Sequence, residues 1–374
     1  MHLSLRPVRT AAELRRFIAL PLELPDRRPN AVPPLLADER EGHDPRKNPQ
    51  LAHCTVERWL AWSGDRPVGR IMGIIHRGYN AKQNERTARF FQLECVNDAQ
   101  VVRALIAAVE EWARAQGMDR MIGPFGFSDK DPQGLQVEGF EHLPVIATPT
   151  NPAWLPPLVE ACGYARFEDM VSYRMDIPND LPERYHAVAD RCLRNFDLHR
   201  VPVRNKRDLR PWVVPVLRLV NATYGDLLGF APMSEAEMRA LAKKYMFILQ
   251  PDLVQLIADR NNAPAAFVIA SPDMSEGLQR ANGRLFPLGF VHILRAMKRS
   301  TQLDLLLGAV RPDLQGRGLT AALGIGLFQA ARRRGLTHLD SHLVMERNVR
   351  MRAELERLGA VLWKRFRVYA KQLN

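Results

Sequence analysis

Apolar and polar residues alternate along the chain with two different periods, and the changes between these periods predict the secondary structure. Residues 59–76 form two apolar runs around the turn sequence SGDRP, which predicts a β-hairpin. Residues 101–117 carry apolar side chains at helical spacing and end at a glycine, which predicts a helix. Residues 25–50, rich in proline and charge, predict a long irregular loop. Further strands of the first half are predicted at 3–8, 88–96 and 171–177.

The second half of the chain predicts the same order of elements as the first. Its predicted elements are a strand at 199–205, helices at 211–224 and from Ser234, a hairpin at 253–271, and then alternating strands and helices at 301–310, 319–334, 338–344, 348–358 and 361–373. Two such series in 374 residues predict an α/β protein that arose by internal duplication. We place an N-terminal lobe at 1–180, an interdomain segment at 181–198 and a C-terminal lobe at 199–374.

The chain is strongly basic, with a formal net charge of +12 and a pI of about 9.9. Residues 331–374 hold much of this excess, because they contain eleven Lys or Arg against four acids. Such a balance favours an anionic partner, which is a nucleic acid, an anionic membrane surface or a phosphorylated cofactor. Charge alone does not distinguish these classes, and a solvated basic surface explains many of the arginines equally well.

The cysteines and the N-terminus indicate a reducing compartment. Cys54, Cys95, Cys162 and Cys192 have no ligand spacing, which predicts neither a metal site nor a disulfide framework. The N-terminal residues contain no apolar stretch typical of a signal peptide. No uncharged apolar run reaches the ~20 residues that a membrane span needs. We therefore expect a cytoplasmic protein, and peripheral contact with the inner membrane stays open.

The most informative stretch is LLLGAVRPDLQGRGLTAALGIGLFQAARRRG at 305–335. A predicted buried strand ends at Val310, a loop with two glycines follows, and a helix begins after Gly318. A helix N-terminus presents free backbone N–H groups and the positive end of the helix dipole, so this junction suits an anion such as a pyrophosphate. Gly316 and Gly318 let the backbone approach the phosphates closely. Neither a Walker A loop nor a G-x-G-x-x-G pattern is present in the stretch.

This loop resembles motif A of the GNAT superfamily of acyltransferases, [QR]-x-x-G-x-[GA]. The motif here is Gln315-Gly316-Arg317-Gly318-Leu319-Thr320. Its last position holds threonine in place of glycine or alanine. The resemblance implies that the loop binds the pyrophosphate of acyl-CoA, a co-substrate, without a metal. It also implies that the preceding strand splays from its neighbour, and that its backbone around Ala309 and Val310 pairs with the pantetheine arm.

A later segment resembles the superfamily's helix that begins at an asparagine. It begins here at Asn348, which we include among the expected cofactor-binding residues, and ends at Gly359. GNAT enzymes often have a tyrosine seven residues after this asparagine, and that tyrosine protonates the CoA thiolate. Leu355 occupies the position here. The proton donor is therefore another group or solvent, unless the domain does not catalyse at all.

The whole chain resembles a bacterial tandem GNAT-like family that includes bacterial ceramide synthases. The resemblance rests on VPPLLADER, DPRKNP, RPVGRIMGII, IGPFGFSDKDPQGLQVEGF, NGRLFPLGF, LLLGAVRPDLQGRGL, ERNVRMRAELERLGA and KRFRVYAKQL. It implies two tandem GNAT-like lobes, each a mixed, mostly antiparallel twisted sheet flanked by helices. It also implies transfer of an acyl group from CoA to a primary amine, with a long-chain sphingoid-type lipid amine as the preferred acceptor.

Three side chains in the second half are candidates for acid–base chemistry on the amine and the thioester. Glu346 lies between a predicted strand and a predicted helix, where capping or an arginine partner explains it equally well. His342 is predicted to share a strand face with Asp340 and Val344, where a satisfied, partly buried histidine is the commoner role. Tyr224 is a candidate acid, although an aromatic residue at helical spacing usually belongs to the core.

Two other segments are relevant to binding. The first-half junction FFQLECVNDAQVV has no glycine and places Glu94 and Asp98 where phosphates would lie, so the N-terminal lobe is not expected to bind CoA. Residues 284–300 combine large apolar side chains with three cations near their end. This pattern fits an amphipathic surface that admits a lipid or touches an anionic membrane. A helix packed on the sheet with a solvated basic end is the simpler interpretation.

Three other functions remain compatible with the sequence. An acetyltransferase for a small amine or peptide would have the same loop with a narrower acyl pocket. A transferase that takes aminoacyl groups from tRNA would suit the basic charge, but the CoA-type loop at 315–320 argues against a nucleic-acid partner. A non-catalytic acyl-CoA sensor is compatible with the absence of the usual tyrosine.

Overall fold

The computed structural model describes residues 3–24 and 28–374. In these ranges the chain forms fourteen strands and thirteen α-helices. The strands are β1 (Leu3–Pro7), β2 (Cys54–Ser63), β3 (Arg66–His76), β4 (Thr87–Cys95), β5 (Arg120–Gly123), β6 (Leu135–Glu138), β7 (Ala165–Asp176), β8 (Leu198–Arg200), β9 (Val254–Asp259), β10 (Pro264–Pro272), β11 (Gln302–Val310), β12 (His338–Asp340), β13 (Val344–Met345) and β14 (Val361–Gln372).

The α-helices are α1 (Ala11–Glu23), α2 (Leu36–His43), α3 (Arg77–Gln83), α4 (Ala99–Ala115), α5 (Leu155–Glu160), α6 (Glu183–Asn195), α7 (Lys206–Leu209), α8 (Val213–Thr223), α9 (Glu235–Tyr245), α10 (Ser275–Ala281), α11 (Gly289–Arg299), α12 (Leu319–Arg333) and α13 (Val349–Arg357). Short 3-10 helices lie at Pro49–His53, Arg210–Trp212, Pro251–Leu253 and Pro312–Leu314.

Local sequence signals determine where several helices begin. Thr10 and Glu13 form a reciprocal capping box at the start of α1. Ser234 and Glu237 form the same arrangement at the start of α9. These contacts satisfy backbone N–H groups that have no partner inside the helix, which is why the helix start predicted at Ser234 is correct.

The fourteen strands form one mixed sheet. Its order is β1-β2-β3-β4-β5-β14-β7-β12-β11-β10-β9-β8, with β6 beside β14 and β13 beside β7. Only β4 with β5 and β11 with β12 pair in parallel, and the other pairs are antiparallel. The predicted α/β class with mixed, mostly antiparallel pairing is confirmed.

The two halves of the chain exchange their last strands. β14 inserts beside β5 of the first half, where Tyr369 lies opposite Gly123. β7 in turn pairs with β12 of the second half, where Met175 lies opposite Leu339. β7 and β14 also pair with each other along most of their length. Each half of the sheet therefore contains residues from both sides of the proposed boundary near residues 181–198.

Helices cover both faces of the sheet, and we name the faces by the helices of the second half. On the α12 face, Leu303 and Leu339 pack with α6, α12 and α13 in one buried cluster. On the opposite α8 face, Phe267 and Ala309 pack with α8 and α9. The inserted helices α10 and α11 add a further cluster through Leu278 and two other buried residues of that pair, Ile293 and Met297.

Three predicted elements differ from the structure, and the first is the strand predicted at 199–205, of which only β8 (Leu198–Arg200) forms. The predicted strand at 338–344 is wrong in its middle, because the backbone of His342 is left-handed (φ 57°) and its N–H donates to Asp340 Oδ1 at 2.7 Å. His342 therefore does not continue a strand face with Asp340 and Val344. The predicted loop at 25–50 contains α2 and a 3-10 helix, and its residues 25–27 lie outside the described residues.

Candidate active site

A wedge opens between β11 and its parallel neighbour. The two strands pair only from Gln302 to Asp304, which lies opposite Asp340. Beyond that point β11 continues along β10, whereas β12 ends and β13 pairs with β7. A register shift leaves Leu306 without a partner on β10, which is a β-bulge that bends the strand. We call the gap between Leu305–Val310 and His338–Met345 the β11–β12 wedge, and it matches the splay that the GNAT resemblance implies.

The register of β11 determines which backbone groups face the wedge. The Arg311 N–H donates to β10 at 2.8 Å, and Ala309 lies opposite Phe267. In an antiparallel ladder, hydrogen-bonded pairs alternate with non-hydrogen-bonded pairs. Since Arg311 is hydrogen-bonded to β10, Ala309, two residues earlier, also directs its backbone N–H and C=O to β10. The N–H and C=O groups of Gly308 and Val310 consequently point to the wedge. The expectation that Ala309 pairs with a pantetheine arm is therefore wrong, because its backbone groups are directed to β10. Gly308 and Val310 have the orientation that such pairing needs.

Two side chains contact this free edge of β11. Gln315 Nε2 donates to the Val310 carbonyl at 3.2 Å, and the Tyr224 hydroxyl donates to the Gly308 carbonyl at 2.8 Å. Burial raises the pKa of Tyr224 to about 12, so its hydroxyl keeps its proton at neutral pH. Tyr224 directly follows α8 and is thereby placed at the wedge rather than in the core alone.

The loop after β11 presents unpaired amides. No described acceptor contacts the N–H groups of Gly316, Gly318, Leu319 and Thr320, and no side chain caps α12. Gly318 has φ 101°, and a Cβ there would lie 2.4 Å from Val188 Cγ1. Gly318 is therefore required by the fold as well as by the site. The free amides and the helix dipole make this helix start an anion site.

The other loop side chains have distinct environments. Leu319 is buried in the core beneath α12. Arg317 is exposed, with its guanidinium 5.8 Å from the centre of the Phe196 ring, and has no carboxylate partner in the described ranges. Thr320 is exposed, and its hydroxyl lies 3.4 Å from Glu354 on α13. A cation and a hydroxyl thus flank the free amides.

The corresponding junction of the first half is closed to anions. Asp98 caps α4 by accepting the Gln100 N–H at 2.7 Å, so a carboxylate already occupies the helix start. Glu94 at the end of β4 accepts from the buried Arg70 at 2.6 Å. The two halves therefore differ at the place where a pyrophosphate would bind.

His342 lies on the wall of the wedge opposite β11. Its Nε2 bonds to the Ile146 carbonyl at 2.9 Å, which requires the proton to be on Nε2. Its Nδ1 has no described partner and keeps its lone pair. Burial lowers the pKa of His342, so the ring is neutral at neutral pH. A neutral imidazole with a free nitrogen is suited to accept a proton.

A buried polar network lies where β11 and β12 separate. Asp340 accepts from Ser172 Oγ at 2.6 Å and from Lys364 Nζ at 3.1 Å. Asp304, directly opposite, accepts only from Gln302 at 2.8 Å, and its Oδ2 is buried without a described partner. Burial raises the pKa of Asp304 well above its usual range, because the buried carboxylate form would lose its hydration. Sequence reasoning missed this network because Ser172 and Asp340 are 168 positions apart.

The network continues to a cavity on the N-terminal side. Trp363 Nε1 donates to Ser172 Oγ at 3.1 Å, and the His142 ring packs on Trp363 with 4.4 Å between the ring centres. His142 also lines a cavity of about 490 Å³. The other lining residues are Arg28, Pro29, Asn30, Gln136, Phe140, Thr150, Pro152, Ala153 and Trp154.

Glu346 belongs to a cluster of ion pairs with arginines. It pairs with Arg166 and accepts from Arg365 Nη1 at 2.5 Å, and the hydrogen bond from Arg365 lowers the pKa of Glu346. A carboxylate with a lowered pKa is a weak general base, so the geometry favours the arginine-partner interpretation.

The helix α13 supplies no further acid–base group at its start. Asn348 caps this helix by accepting the Met351 N–H at 3.2 Å. Leu355 is buried in the core. The role of Asn348 in cofactor binding stays a prediction, and the position of the usual GNAT tyrosine is filled by packing.

Comparison with other proteins places these features in context. No family model matches the chain. The bacterial ceramide synthase of Caulobacter vibrioides is 30% identical over 99% of this chain and 98% of its own length. Protein YghO of Escherichia coli is 29% identical over 96% of this chain and 93% of its own length. The solved structure of a tandem GNAT protein from the clavulanic acid biosynthesis pathway covers all of this chain and 99% of its own, with 16% identity and a TM-score of 0.56.

The helices and cysteines add two observations. Among the helices of residues 3–24 and 28–374, none is both long and apolar enough to cross a membrane. All four cysteines carry free thiols, and three of them are buried.

Proposed function

Since the chain belongs to the bacterial tandem GNAT family that includes bacterial ceramide synthase, it is an N-acyltransferase, and we propose that acyl-CoA is its acyl donor. We further propose that the acceptor is the primary amine of a long-chain, sphingoid-type lipid. One observation carries the proposal: the start of α12, with its unpaired amides, follows directly after β11, whose edge towards β12 is free beyond Asp304.

The second half fits acyl-CoA at two points. The N–H groups of Gly316, Gly318, Leu319 and Thr320 suit a pyrophosphate, because they have no internal acceptor. The outward N–H groups of Gly308 and Val310 suit the carbonyls of a pantetheine arm lying in the wedge, whereas the carbonyls of these two residues already accept from Tyr224 and Gln315. The first half is not proposed to bind CoA, because Asp98 caps its equivalent helix.

The proposed reaction is a direct attack of the amine on the thioester carbonyl. A C–N bond forms and the C–S bond breaks, so that an amide and CoA result. We assign a strand-edge N–H of β11 near Val310 to stabilise the oxyanion, as preorganised backbone donors do in acyl transfer. His342 Nδ1 is assigned to accept the amine proton, and the Tyr224 hydroxyl is assigned to protonate the leaving thiolate. The attacking neutral amine thus loses one proton to His342 as the thiolate gains one from Tyr224, and proton exchange with solvent returns both side chains to their starting forms.

The lipid character of the acceptor is supported more indirectly. The Caulobacter vibrioides relative carries the name bacterial ceramide synthase and aligns over nearly the whole of both chains. The 490 Å³ cavity has apolar walls at Phe140, Pro152 and Trp154 and is linked through His142 to the polar network at the wedge. A substrate with an apolar tail and one polar amine suits such a cavity.

The direct experiment is an acyl-transfer assay with mass-spectrometric detection of the amide. Palmitoyl-CoA or acetyl-CoA would be combined with sphinganine or with a short water-soluble amine. We expect the long-chain pair to give amide and free CoA at least about tenfold faster than the short pair. Faster transfer of acetyl groups to the short amine would favour a small-molecule acetyltransferase. Palmitoyl-CoA binding with no amide from any amine would favour an acyl-CoA sensor.

A further inference from the structure

Exposed apolar side chains concentrate at one place on the surface. Ten large hydrophobic residues are exposed among the described residues, and five of them lie within positions 286–294. Phe286 is 74% exposed and Leu288 is 63% exposed, which is unusual for side chains of this size. We define the α11 surface as Phe286, Leu288, Phe290, Val291 and Leu294.

The fold of α11 does not need these side chains. The helix is held by its other side, where Ile293 and Met297 are buried against Met274 and Leu278. Gly277 of α10 allows this close contact, because a Cβ there would lie 2.5 Å from Ile293 Cα. The exposed side is therefore free to contact a partner without disturbing the helix pair.

Cations without partners surround the α11 surface. Arg284, Arg295, Lys298 and Arg299 are exposed, and none has a carboxylate within ion-pair distance in the described part of the chain. Residues 280–299 contain five Lys or Arg and no acid. Apolar side chains flanked by unpaired cations are the arrangement of helices that lie in the headgroup region of an anionic bilayer.

We propose that the α11 surface docks on an anionic phospholipid bilayer. Phe286 and Leu288 lie at the boundary between headgroups and acyl chains, and the four cations contact lipid phosphates. An acidic protein would satisfy the cations but would leave the most exposed aromatic and aliphatic groups facing water. An anionic bilayer accounts for both features, because its phosphates neutralise the cations and its acyl chains cover the exposed apolar side chains.

Docking at this place brings the bilayer close to the wedge. Ile293, on the buried side of α11, belongs to the same packed cluster as Ile146. The carbonyl of Ile146 holds His342, the assigned base, at 2.9 Å. An amine that is dissolved in the bilayer would leave it next to the catalytic wall. This last step rests on the proposed function, whereas membrane binding itself does not.

The test is co-sedimentation of the full chain with vesicles, without acyl-CoA. Vesicles of phosphatidylcholine mixed with phosphatidylglycerol are compared with vesicles of phosphatidylcholine alone. We expect at least about tenfold tighter binding to the anionic vesicles, with loss of this preference at high salt. Equal binding to both vesicle types, or no binding to either, would overturn the proposal.

Two variants separate the apolar and the charged contributions. The first is Phe286→Ser with Leu288→Ser, and the second is Arg295→Gln with Lys298→Gln and Arg299→Gln. Each should lose about tenfold or more of the binding to anionic vesicles, because each removes one of two required contributions. Phe247→Ser is the matched control, since Phe247 is 53% exposed elsewhere, and it should bind as the parent does. Equal loss in the control would contradict the assignment of the surface.

A second readout distinguishes this proposal from the function proposed above. Both variants should keep their circular dichroism spectrum and their activity on a water-soluble amine, and should lose activity on a sphingoid amine presented in vesicles. Vesicle binding without transfer to any amine would contradict the function but not the docking. A concentration-dependent dimer that the serine variant abolishes, with no vesicle binding by the parent, would assign the surface to a second copy and overturn the docking.

Discussion

The Tyr224 hydroxyl donates a hydrogen bond to the carbonyl oxygen of Gly308 at 2.8 Å. Gly308 belongs to the edge of β11 that faces the wedge, and Tyr224 comes from the end of α8 on the neighbouring layer. The contact therefore brings the phenol of Tyr224 to the wedge from the end of α8. GNAT enzymes often carry a tyrosine instead on the helix that corresponds to α13. In the proposed function, the Tyr224 hydroxyl takes the role of proton donor, which the core side chain of Leu355 cannot take.

Removing this hydroxyl should slow turnover without affecting the binding of the donor. Tyr224→Phe keeps the ring and removes the proton, so we expect kcat to fall by roughly 10²-fold while KM for palmitoyl-CoA stays within about threefold. Initial rates at saturating amine measure both constants.

A matched control separates catalysis from packing. Tyr369→Phe removes a hydroxyl that is bonded to Glu160 at 3.0 Å, away from the wedge. This control should leave kcat nearly unchanged. If both variants had equal kcat, or if Tyr224→Phe behaved as the parent does, Tyr224 would not be the acid.

The pH dependence of kcat should depend on His342. A base acts in its neutral form, so kcat falls as the pH drops below its pKa. Burial lowers the pKa of His342 below the ordinary value of 6.5, which places this fall on the acid side of 6.5. His342→Gln keeps an Nε2 donor for Ile146 and removes the basic nitrogen. We expect kcat of this variant to drop by roughly 10²-fold and its pH profile to lack the fall at acidic pH.

Comparison of the two pH profiles isolates the histidine. Protonation of the amine substrate affects the parent and the variant alike and therefore cancels between them. An acid limb of the same shape in both proteins would show that another group acts as the base.

Asp304 should make the protein less stable as the pH rises. Its pKa is raised by burial, so its contribution is complete below the unfolded pKa of about 3.9 and is lost as the pH passes through the folded pKa. Asp304→Asn keeps the Oδ1 acceptor for Gln302 and cannot ionise. Between the unfolded pKa of about 3.9 and the raised folded pKa, the variant should gain about 1.4 kcal/mol of unfolding free energy over the parent per pH unit, and above the folded pKa this difference should stay constant.

Urea unfolding at several pH values measures this difference. Asp313→Asn, at an exposed carboxylate, is the control and should not show the trend. A stability difference between Asp304→Asn and the parent that does not change with pH would contradict a raised pKa of the buried Asp304.

Local patterns along the chain predicted many elements but not how the strands combine. The hairpin at 253–271 and the helix from Ser234 were predictable because alternation and capping are properties of neighbouring residues. The exchange of β7 and β14 between the halves was not predictable. Both strands have similar apolar patterns, and neither pattern indicates which strand it pairs with. The place of His342 was missed for a related reason, since the Asp340 carboxylate turns the backbone away from strand geometry.

The same distinction holds within the site. The helix start with unpaired amides after the loop at 315–320 was predictable, since glycines between a strand and a helix have local consequences, and anion binding there stays a prediction. Val310 was assigned to the pantetheine contact by resemblance, and the register of β11 directs it to the wedge. Gly308, Ser172 and Lys364 carry no local signal, because their roles depend on contacts across the sheet.

The most direct test of the central claim is the binding of palmitoyl-CoA to variants of Thr320. The Thr320 amide is free at the start of α12 and its side chain is exposed. Thr320→Asp adds a negative charge where the pyrophosphate would lie, just as the Asp98 carboxylate occupies the helix start in the first half. Thr320→Asn is the neutral control of similar size.

The measurement is calorimetric titration with palmitoyl-CoA below its micelle concentration. We predict one site in the parent, a Kd within about threefold of the parent for Thr320→Asn, and at least about tenfold weaker binding, or about 1.4 kcal/mol, for Thr320→Asp. Equal affinity of Thr320→Asp and the parent, or no binding by the parent, would contradict acyl-CoA binding at the start of α12.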